Sequence, residues 1–295
     1  MKNQIKKIIT LSLAVGISTA LIAEPNIDNR EAKMGLKKMA GESGIFVKHE
    51  AFPKDYFLIS KSLPFAVGLT LHHPRSSELE LSKKQIDKIL EIKSNTIPKV
   101  IKWAKEIKKL ELALSKRMVG GATAIDEYRA VDIIASKKAE LTKHHIGCIE
   151  KVRAILTLKQ REILLSYAGD KMKKDKHPIE ELVELPHPVK LVLMNKESLK
   201  ITAAQMTNIE NKMLAVYPAL IHTNMDIAKN IEEKIIKAVL DGATKESMKK
   251  DIDALVKIKV QITNDHIDAL NKLKTIITSV QYIKLLELVQ ESKKH

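Results

Sequence analysis

One short phrase occurs four times in the chain and constrains its fold more than any other feature. The phrase consists of an aliphatic residue, a hydroxyl residue, two variable positions and a glutamine. The copies are Leu81-Ser82-x-x-Gln85, Leu156-Thr157-x-x-Gln160, Ile201-Thr202-x-x-Gln205 and Ile277-Thr278-x-x-Gln281. The interval between the first two glutamines equals that between the last two to within a single position. Because this spacing is itself repeated, we predict a tandem repeat with a period of about 120 residues.

The segment between the phrases is duplicated as well. A Gly-Ala-Thr triplet lies between the members of each pair, at 121–123 and again at 242–244. Glycine readily takes the left-handed conformation that ends a helix, and threonine can cap the next helix. Pro98 and Pro218 follow the opening glutamine of their repeat at the same interval, where a proline inside a helix would kink it. Because apolar residues also recur every three or four positions, each repeat is predicted to be a kinked helical hairpin.

Each phrase also has the form of a capping box. The hydroxyl accepts a hydrogen bond from a backbone N–H of the first helical turn, and the glutamine reaches back to the N–H of the cap. The preceding aliphatic residue occupies the staple position, for which Ile86 and Met206 are apolar partners; at Arg161 and Tyr282 the partner is weaker or absent. We interpret the phrase as a helix start with a structural role.

The segment at 1–23 has the features of a secretory signal peptide. Three lysines precede a mostly apolar stretch at 8–22, and small residues permit cleavage after Ala20 or Ala23. We therefore predict export to the periplasm with no stable membrane span after cleavage, an uncleaved anchor being the alternative. The remaining chain is predicted to comprise an irregular extension at 24–60, a first repeat at 61–168, a charged linker at 169–176 and a second repeat at 177–295.

Composition narrows the function classes. The chain carries a formal net charge of +15 but has only one Trp, five Tyr and four Phe, so it lacks the stacking platforms typical of single-strand nucleic-acid binders. The positive charge favours acidic protein surfaces, membrane headgroups or unfolded clients, or serves solubility alone. Cys148 is the only cysteine, so an intramolecular disulfide is excluded.

With the four phrases bracketing helical hairpins behind a signal peptide, the chain resembles the Spy/CpxP (LTxxQ) family of periplasmic proteins. The resemblance implies a small all-helical fold that pairs as a curved, cradle-shaped homodimer. Spy-like members are ATP-independent chaperones that hold unfolded clients on a basic, partly apolar concave face. CpxP-like members restrain an envelope-stress sensor kinase, and related members bind zinc or other metals. Because this chain carries two repeats, the resemblance implies a fused pseudo-dimer in which one chain forms the whole cradle.

Basic side chains are the candidate client-binding residues. Long charged stems can border apolar patches while their heads stay in water, so a client with apolar and acidic groups would find both partners. The alternative is an ordinary solvated face. The candidates are Lys102, Lys105, Lys109, Lys116, Arg117, Lys229 and Lys237.

Two histidines are the candidate metal ligands. His145 and His266 are separated by the same interval as Gly121 and Gly242, and each falls on the apolar stripe of the returning helix in its repeat. They are interpreted either as metal-binding or pH-sensing positions that face each other across a pseudo-two-fold, or as hydrogen-bonded histidines within the helix seam. In a zinc or copper site, His144, Cys148 or Asp265 could add ligands.

The sequence contains no catalytic motif that we recognise. No third group orients Cys148 and the histidines before it, so the chain is not predicted to be an enzyme. Three hypotheses for the function follow. The first is a periplasmic ATP-independent holdase for unfolded or partly folded proteins, linked to envelope stress. The second is a metal-binding resistance protein or a modulator of an envelope sensor kinase. The third is a purely structural helical module.

Overall fold

The computed structural model describes residues 56–59, 63–120, 124–174, 181–183, 185 and 187–292. Every regular element in these ranges is helical, which confirms the all-α prediction. Outside the described residues lie the predicted signal peptide, the first glycine triplet at 121–123, and the predicted extension except for 56–59. None of the described helices is long and apolar enough to cross a membrane.

The first half of the described chain, 56–174, contains two long and two shorter α-helices. The elements are α1 (Ala66–His72), a 3-10 helix (Ser76–Leu79), α2 (Lys83–Gly120), α3 (Ala124–Ile155) and α4 (Leu158–Lys174). Helix α4 therefore continues through most of the segment at 169–176 that the sequence predicted as a linker.

The second half, 181–292, has a similar order of elements. They are α5 (Pro188–Met194), α6 (Ala203–Ile209), a π-helical turn (Glu210–Leu214), α7 (Tyr217–Leu240), α8 (Lys249–Ile276) and α9 (Ser279–Ser292). In both halves a short helix precedes the opening phrase and a shorter helix begins at the closing phrase. Two long helices lie between the phrases in each half, but in the second half the short α6 and the π-helical turn come before them.

The two prolines occupy different positions, although their sequence spacing is the same. Pro98 lies inside the continuous helix α2, as predicted. The prediction that Pro218 also lies inside a long helix is wrong, because the chain divides after the π-helical turn and Pro218 sits in the first turn of α7. A proline is favoured there, since the N–H that it lacks would have no intrahelical partner.

All four phrases form capping boxes, as the sequence predicted. The backbone N–H of each Ser or Thr donates to its glutamine Oε1 at 2.8–3.0 Å, and the glutamine N–H donates back to the hydroxyl at 3.2–3.3 Å. Gly242 ends the outgoing helix of the second half with a φ of +113°, a left-handed value that favours glycine. Thr244 accepts from the N–H of Ser247 in the turn that follows, and α8 itself begins at Lys249.

The core is built around the returning helices. Helix α2 packs along α3, α7 packs along α8, and α3 and α8 pack against each other. Buried aliphatic side chains such as Ile134 and Leu141 of α3 and Ile262 and Leu273 of α8 belong to one continuous apolar cluster. Helix α1 rests on α2, α3 and α4, and α5 rests on α8 and α9.

Buried lysines cross between the halves in a reciprocal pattern. Lys138 of α3 donates to the carbonyl of Leu182 in the second half at 2.5 Å, and Lys259 of α8 donates to the carbonyl of Leu58 in the first half at 2.8 Å. Each lysine is also ion-paired within its own half, Lys138 with Glu111 and Lys259 with Glu232. The two lysines, like the two glutamates, are separated by the same interval as the two glycine triplets.

A second reciprocal pair lies at the ends of the outgoing helices. Arg153 of α3 donates to the carbonyl of Val239, near the end of α7, at 2.9 Å. Lys274 of α8 donates to the carbonyl of Met118, near the end of α2, at 2.8 Å. The last carbonyls of a helix lack intrahelical partners and carry partial negative charge, so a cation from the other half satisfies them.

Candidate functional site

The glutamines of each phrase pair with each other across their half. Having accepted the cap N–H at Oε1, Gln85 uses Nε2 to donate to Gln160 Oε1 at 2.8 Å and to the carbonyl of Ile155 at 3.0 Å. Gln205 does the same with Gln281 at 2.8 Å and with the carbonyl of Ile276 at 3.2 Å. A glutamate could complete the cap but has no N–H to donate to its partner. In each half the paired glutamines therefore connect the starts of two helices with the end of the returning helix. The role of the phrase is structural.

An apolar hollow beside α2 is the main candidate binding surface. It has a volume of about 640 Å³ and lies between the segment around Phe57, helix α1, helix α2 and helix α3. Its apolar lining includes Phe57, Phe65, Ile97, Val100 and Ile101. We call it the α2 cavity. A volume of this size is within the range of ligand pockets in proteins.

Helix α2 exposes apolar side chains along the cavity and beyond it. Leu90, Ile97 and Ile101 are 45%, 43% and 41% exposed, and their spacings of seven and four place them on one stripe of the helix. Such residues normally gain free energy by burial, roughly 1.5–3 kcal/mol for a fully buried aliphatic side chain. Exposed apolar side chains on one side of a helix, with that gain unrealised, form a candidate interaction surface.

Lysines border this apolar stripe. Lys93, Lys105 and Lys108 line the α2 cavity, and among them Lys105 was a sequence candidate. Lys102, Lys109 and Lys116 are exposed, and together with Lys105 they follow one another at spacings of three, four and seven, which is one side of the helix.

The remaining basic candidates do not border the apolar stripe of α2. Arg117 is only partly exposed and donates to the backbone carbonyl of Asp126 at 3.3 Å. Lys229 and Lys237 are exposed on α7, the counterpart of α2. Helix α7 also has its own apolar stripe, since Leu220 and Ile227 are 43% and 44% exposed and are seven positions apart.

His145 faces the α2 cavity from α3 and lies between aromatic rings. Its ring centroid is 4.7 Å from that of Phe65 and 5.0 Å from that of Phe57, and its Nε2 is 3.2 Å from the carbonyl of Pro64. Burial lowers the pKa of His145 to about 4, with a further lowering from His144, so the ring is neutral at neutral pH. These contacts match the interpretation of a hydrogen-bonded histidine within the seam.

His266 has different surroundings, although it occupies the corresponding position of α8. It is 2% exposed and lies near His187 and Glu181 rather than between phenylalanines. Burial lowers the pKa of His266 to about 4, and the neighbouring His187 lowers it further. Within the described residues, the three-residue clusters of potential metal ligands include His266 but not His145.

The thiol of Cys148 is poorly suited to nucleophilic chemistry. Burial raises its pKa, outweighing the opposite effects of a hydrogen bond from Thr96 and the charge of Lys151. Burial also lowers the pKa of His144, the residue one turn before it. A nucleophilic cysteine needs a lowered pKa, so neither group is activated by the other here.

Sequence reasoning missed the α2 cavity and the buried lysine pairs. The cavity depends on Phe57 and Phe65, which belong to separate segments and meet only in the fold. The lysine pairs did leave a signal, since Lys138 and Lys259 are separated by the same interval as the glycine triplets.

Comparison with known proteins found no matching family model, no matching curated protein and no matching solved structure.

Proposed function

We propose that the protein is a periplasmic, ATP-independent chaperone that holds unfolded or partly folded clients and is linked to envelope stress. The observation that carries this proposal is the lysine-bordered apolar surface of α2. An unfolded chain presents apolar side chains that seek burial and acidic groups that seek cations, and this surface offers both.

We further propose that the two halves are fused Spy/CpxP-like hairpins that clasp each other as a pseudo-dimeric cradle. Reciprocal contacts between the halves support this arrangement. In a two-fold interface, residue i of one subunit contacts residue j of the other while j of the first contacts i of the second. The crossed contacts of Arg153 with Val239 and of Lys274 with Met118 follow that rule within one chain, since the two donors and the two acceptors are separated by the same interval. The α2 and α7 stripes would then be two client-binding surfaces, one in each half.

The energetics favour weak, releasable binding. One aromatic client side chain buries about 150–250 Å², which contributes roughly 4–6 kcal/mol at 25 cal/mol per Å². Association costs about 4–15 kcal/mol in lost freedom of motion. One side chain in the α2 cavity therefore holds a client only briefly, and several contacts along the stripe are needed for capture. No nucleotide is required for release.

The test is the aggregation of a chemically denatured protein diluted into buffer with the purified chain. We expect suppression near one chain per client, and slower capture at high salt because charges are then screened within a few ångströms. The double variant Ile97→Asp/Ile101→Asp should lose most of the suppression, since it places two carboxylates on the apolar stripe.

A matched control separates the stripe from general surface effects. Leu158→Asp/Val280→Asp also replaces two exposed aliphatic side chains by aspartate, at the starts of α4 and α9, where a carboxylate suits the helix dipole. This control should keep full activity. Absence of suppression by the unmodified chain, or equal loss in both double variants, would refute the proposal.

A further inference from the structure

Glu181, His187 and His266 converge on one point although they come from separate parts of the second half. Glu181 and His187 belong to the segment that leads into α5, and His266 lies in α8. Glu181 Oε1 is 3.7 Å from His266 Nδ1 and 3.9 Å from His187 Nε2. One ligand atom from each of the three residues lies within 4.8 Å of the others.

The buried member of this group lacks hydrogen bonds. His266 is 2% exposed, yet neither of its ring nitrogens has a hydrogen-bond partner among the residues that the structure describes. Buried polar atoms are nearly always paired, so two unpaired nitrogens on one buried ring require an explanation. Glu181 accepts from the N–H of Leu185 through Oε2 at 3.4 Å, and it directs Oε1 to the histidines.

We propose that Glu181, His187 and His266 form a site for a divalent metal of the zinc type. Two imidazoles and one carboxylate suit Zn²⁺, whereas Ca²⁺ and Mg²⁺ prefer oxygen ligands throughout. With bond lengths near 2.1 Å, neighbouring tetrahedral ligands lie about 3.4 Å apart. The two distances from Glu181, 3.7 and 3.9 Å, therefore need to close by only a few tenths of an ångström, while the two imidazole nitrogens, which lie within 4.8 Å of each other, need to close by up to about 1.4 Å.

The site is open to solvent on one side and links two segments of the fold. The side chain of His187 is 60% exposed, so the metal can enter from solvent and keep a water as its fourth ligand. Binding would fasten the segment carrying Glu181 to α8. The neighbouring Leu182 already receives the buried Lys138 from the first half, so the metal would strengthen a junction between the halves.

Among the described residues of the first half, no equivalent three-residue cluster is formed. His145 corresponds to His266, but its Nε2 contacts the carbonyl of Pro64 and its ring packs against Phe57 and Phe65. We therefore expect one metal per chain and not two. This inference is independent of the proposed chaperone function.

The experiment is a calorimetric titration of the full, chelator-treated chain with ZnCl₂. We expect one Zn²⁺ per chain with a Kd in the micromolar range or below, and a Tm that rises by about 5–10 °C at a hundredfold excess over Kd. His187→Ala should raise Kd at least tenfold, and because this side chain is mostly exposed the variant should stay folded. His266→Gln and Glu181→Gln should have similar effects on Kd.

Two controls decide between this site and others. His145→Ala should leave the stoichiometry and Kd unchanged, and Cys148→Ser should do the same. The proposal is overturned if the unmodified chain takes up no Zn²⁺ at about 0.1 mM, an order of magnitude above the expected range. It is equally overturned if uptake survives His187→Ala unchanged, or if Cys148→Ser abolishes it.

Discussion

Replacing Lys259 by methionine removes one charge from the centre of the molecule while nearly conserving volume. Lys259 is 1% exposed, and its ammonium donates to the carbonyl of Leu58 at 2.8 Å and pairs with Glu232. Methionine fills irregular core space without a polar head. The substitution therefore leaves the carboxylate of Glu232 and the carbonyl of Leu58 without their shared partner.

The expected loss of stability follows from the burial of both partners. Removing one member of a buried ion pair costs about 3–5 kcal/mol, because the remaining charge stays desolvated. The side chain of Glu232 retains 14% exposure, which places the expected cost near the lower end of that range. At about 2–4 °C per kcal/mol for a chain of this size, Tm should fall by roughly 6–12 °C.

Urea denaturation followed by far-UV circular dichroism measures the free energy of unfolding. The control is Lys234→Met, because Lys234 pairs with Asp251 at 2.7 Å but its side chain is 66% exposed. Breaking that exposed pair should cost under about 1 kcal/mol. The double variant Lys259→Met/Glu232→Met should be more stable than Lys259→Met alone, since both buried charges are then gone.

The same reasoning applies to Lys138→Met, which should cost a similar amount because Lys138 is paired with Glu111 and bonded to Leu182 in the corresponding way. If Lys259→Met costs no more than Lys234→Met, or if the double variant is less stable than the single one, the argument from buried charge is refuted.

Two further predictions concern the glutamine pairs and the buried histidine. Gln205→Glu should lower the free energy of unfolding, measured by urea denaturation, by about 1–3 kcal/mol. The helix cap survives this change, but Gln281 Oε1 and the carbonyl of Ile276 lose their hydrogen-bond donor. An unchanged urea midpoint would contradict the pairing of the glutamines. His145 has a pKa of about 4 when folded and 6.5 when unfolded, so the unfolded chain binds the proton more readily and stability falls as pH decreases from 6.5 to 4. From neutral pH to about pH 5 this residue lowers the free energy of unfolding by roughly 2 kcal/mol. In the variant His145→Gln the urea midpoint should therefore fall less over that pH interval than it does in the unmodified chain.

The helix starts could be predicted because their determinants are local. A hydroxyl group and a glutamine three positions later satisfy each other within one turn, whatever the rest of the chain does. The left-handed turn at Gly242 is local for the same reason, since it depends on a missing Cβ. The second function of the glutamines was not predictable, because Gln85 and Gln160 are far apart in the chain and meet only after α2 and α3 pack.

Pro218 shows where local reasoning was insufficient. Its spacing from Gln205 equals that of Pro98 from Gln85, yet only Pro98 lies within a continuous helix. A proline can be accommodated inside a helix or at the start of a new one, and packing of the surrounding turns selects between them.

By itself the sequence determined the helical class, the four capped helix starts and the internal repetition, since these depend on residue types at short or regular spacing. Only the tertiary structure decided that His145 would be enclosed by phenylalanines while His266 would meet Glu181 and His187. The two histidines occupy equivalent positions in the repeat, but burial and partners are set by segments far away in the chain. Equivalent positions therefore acquired different chemistry through long-range packing.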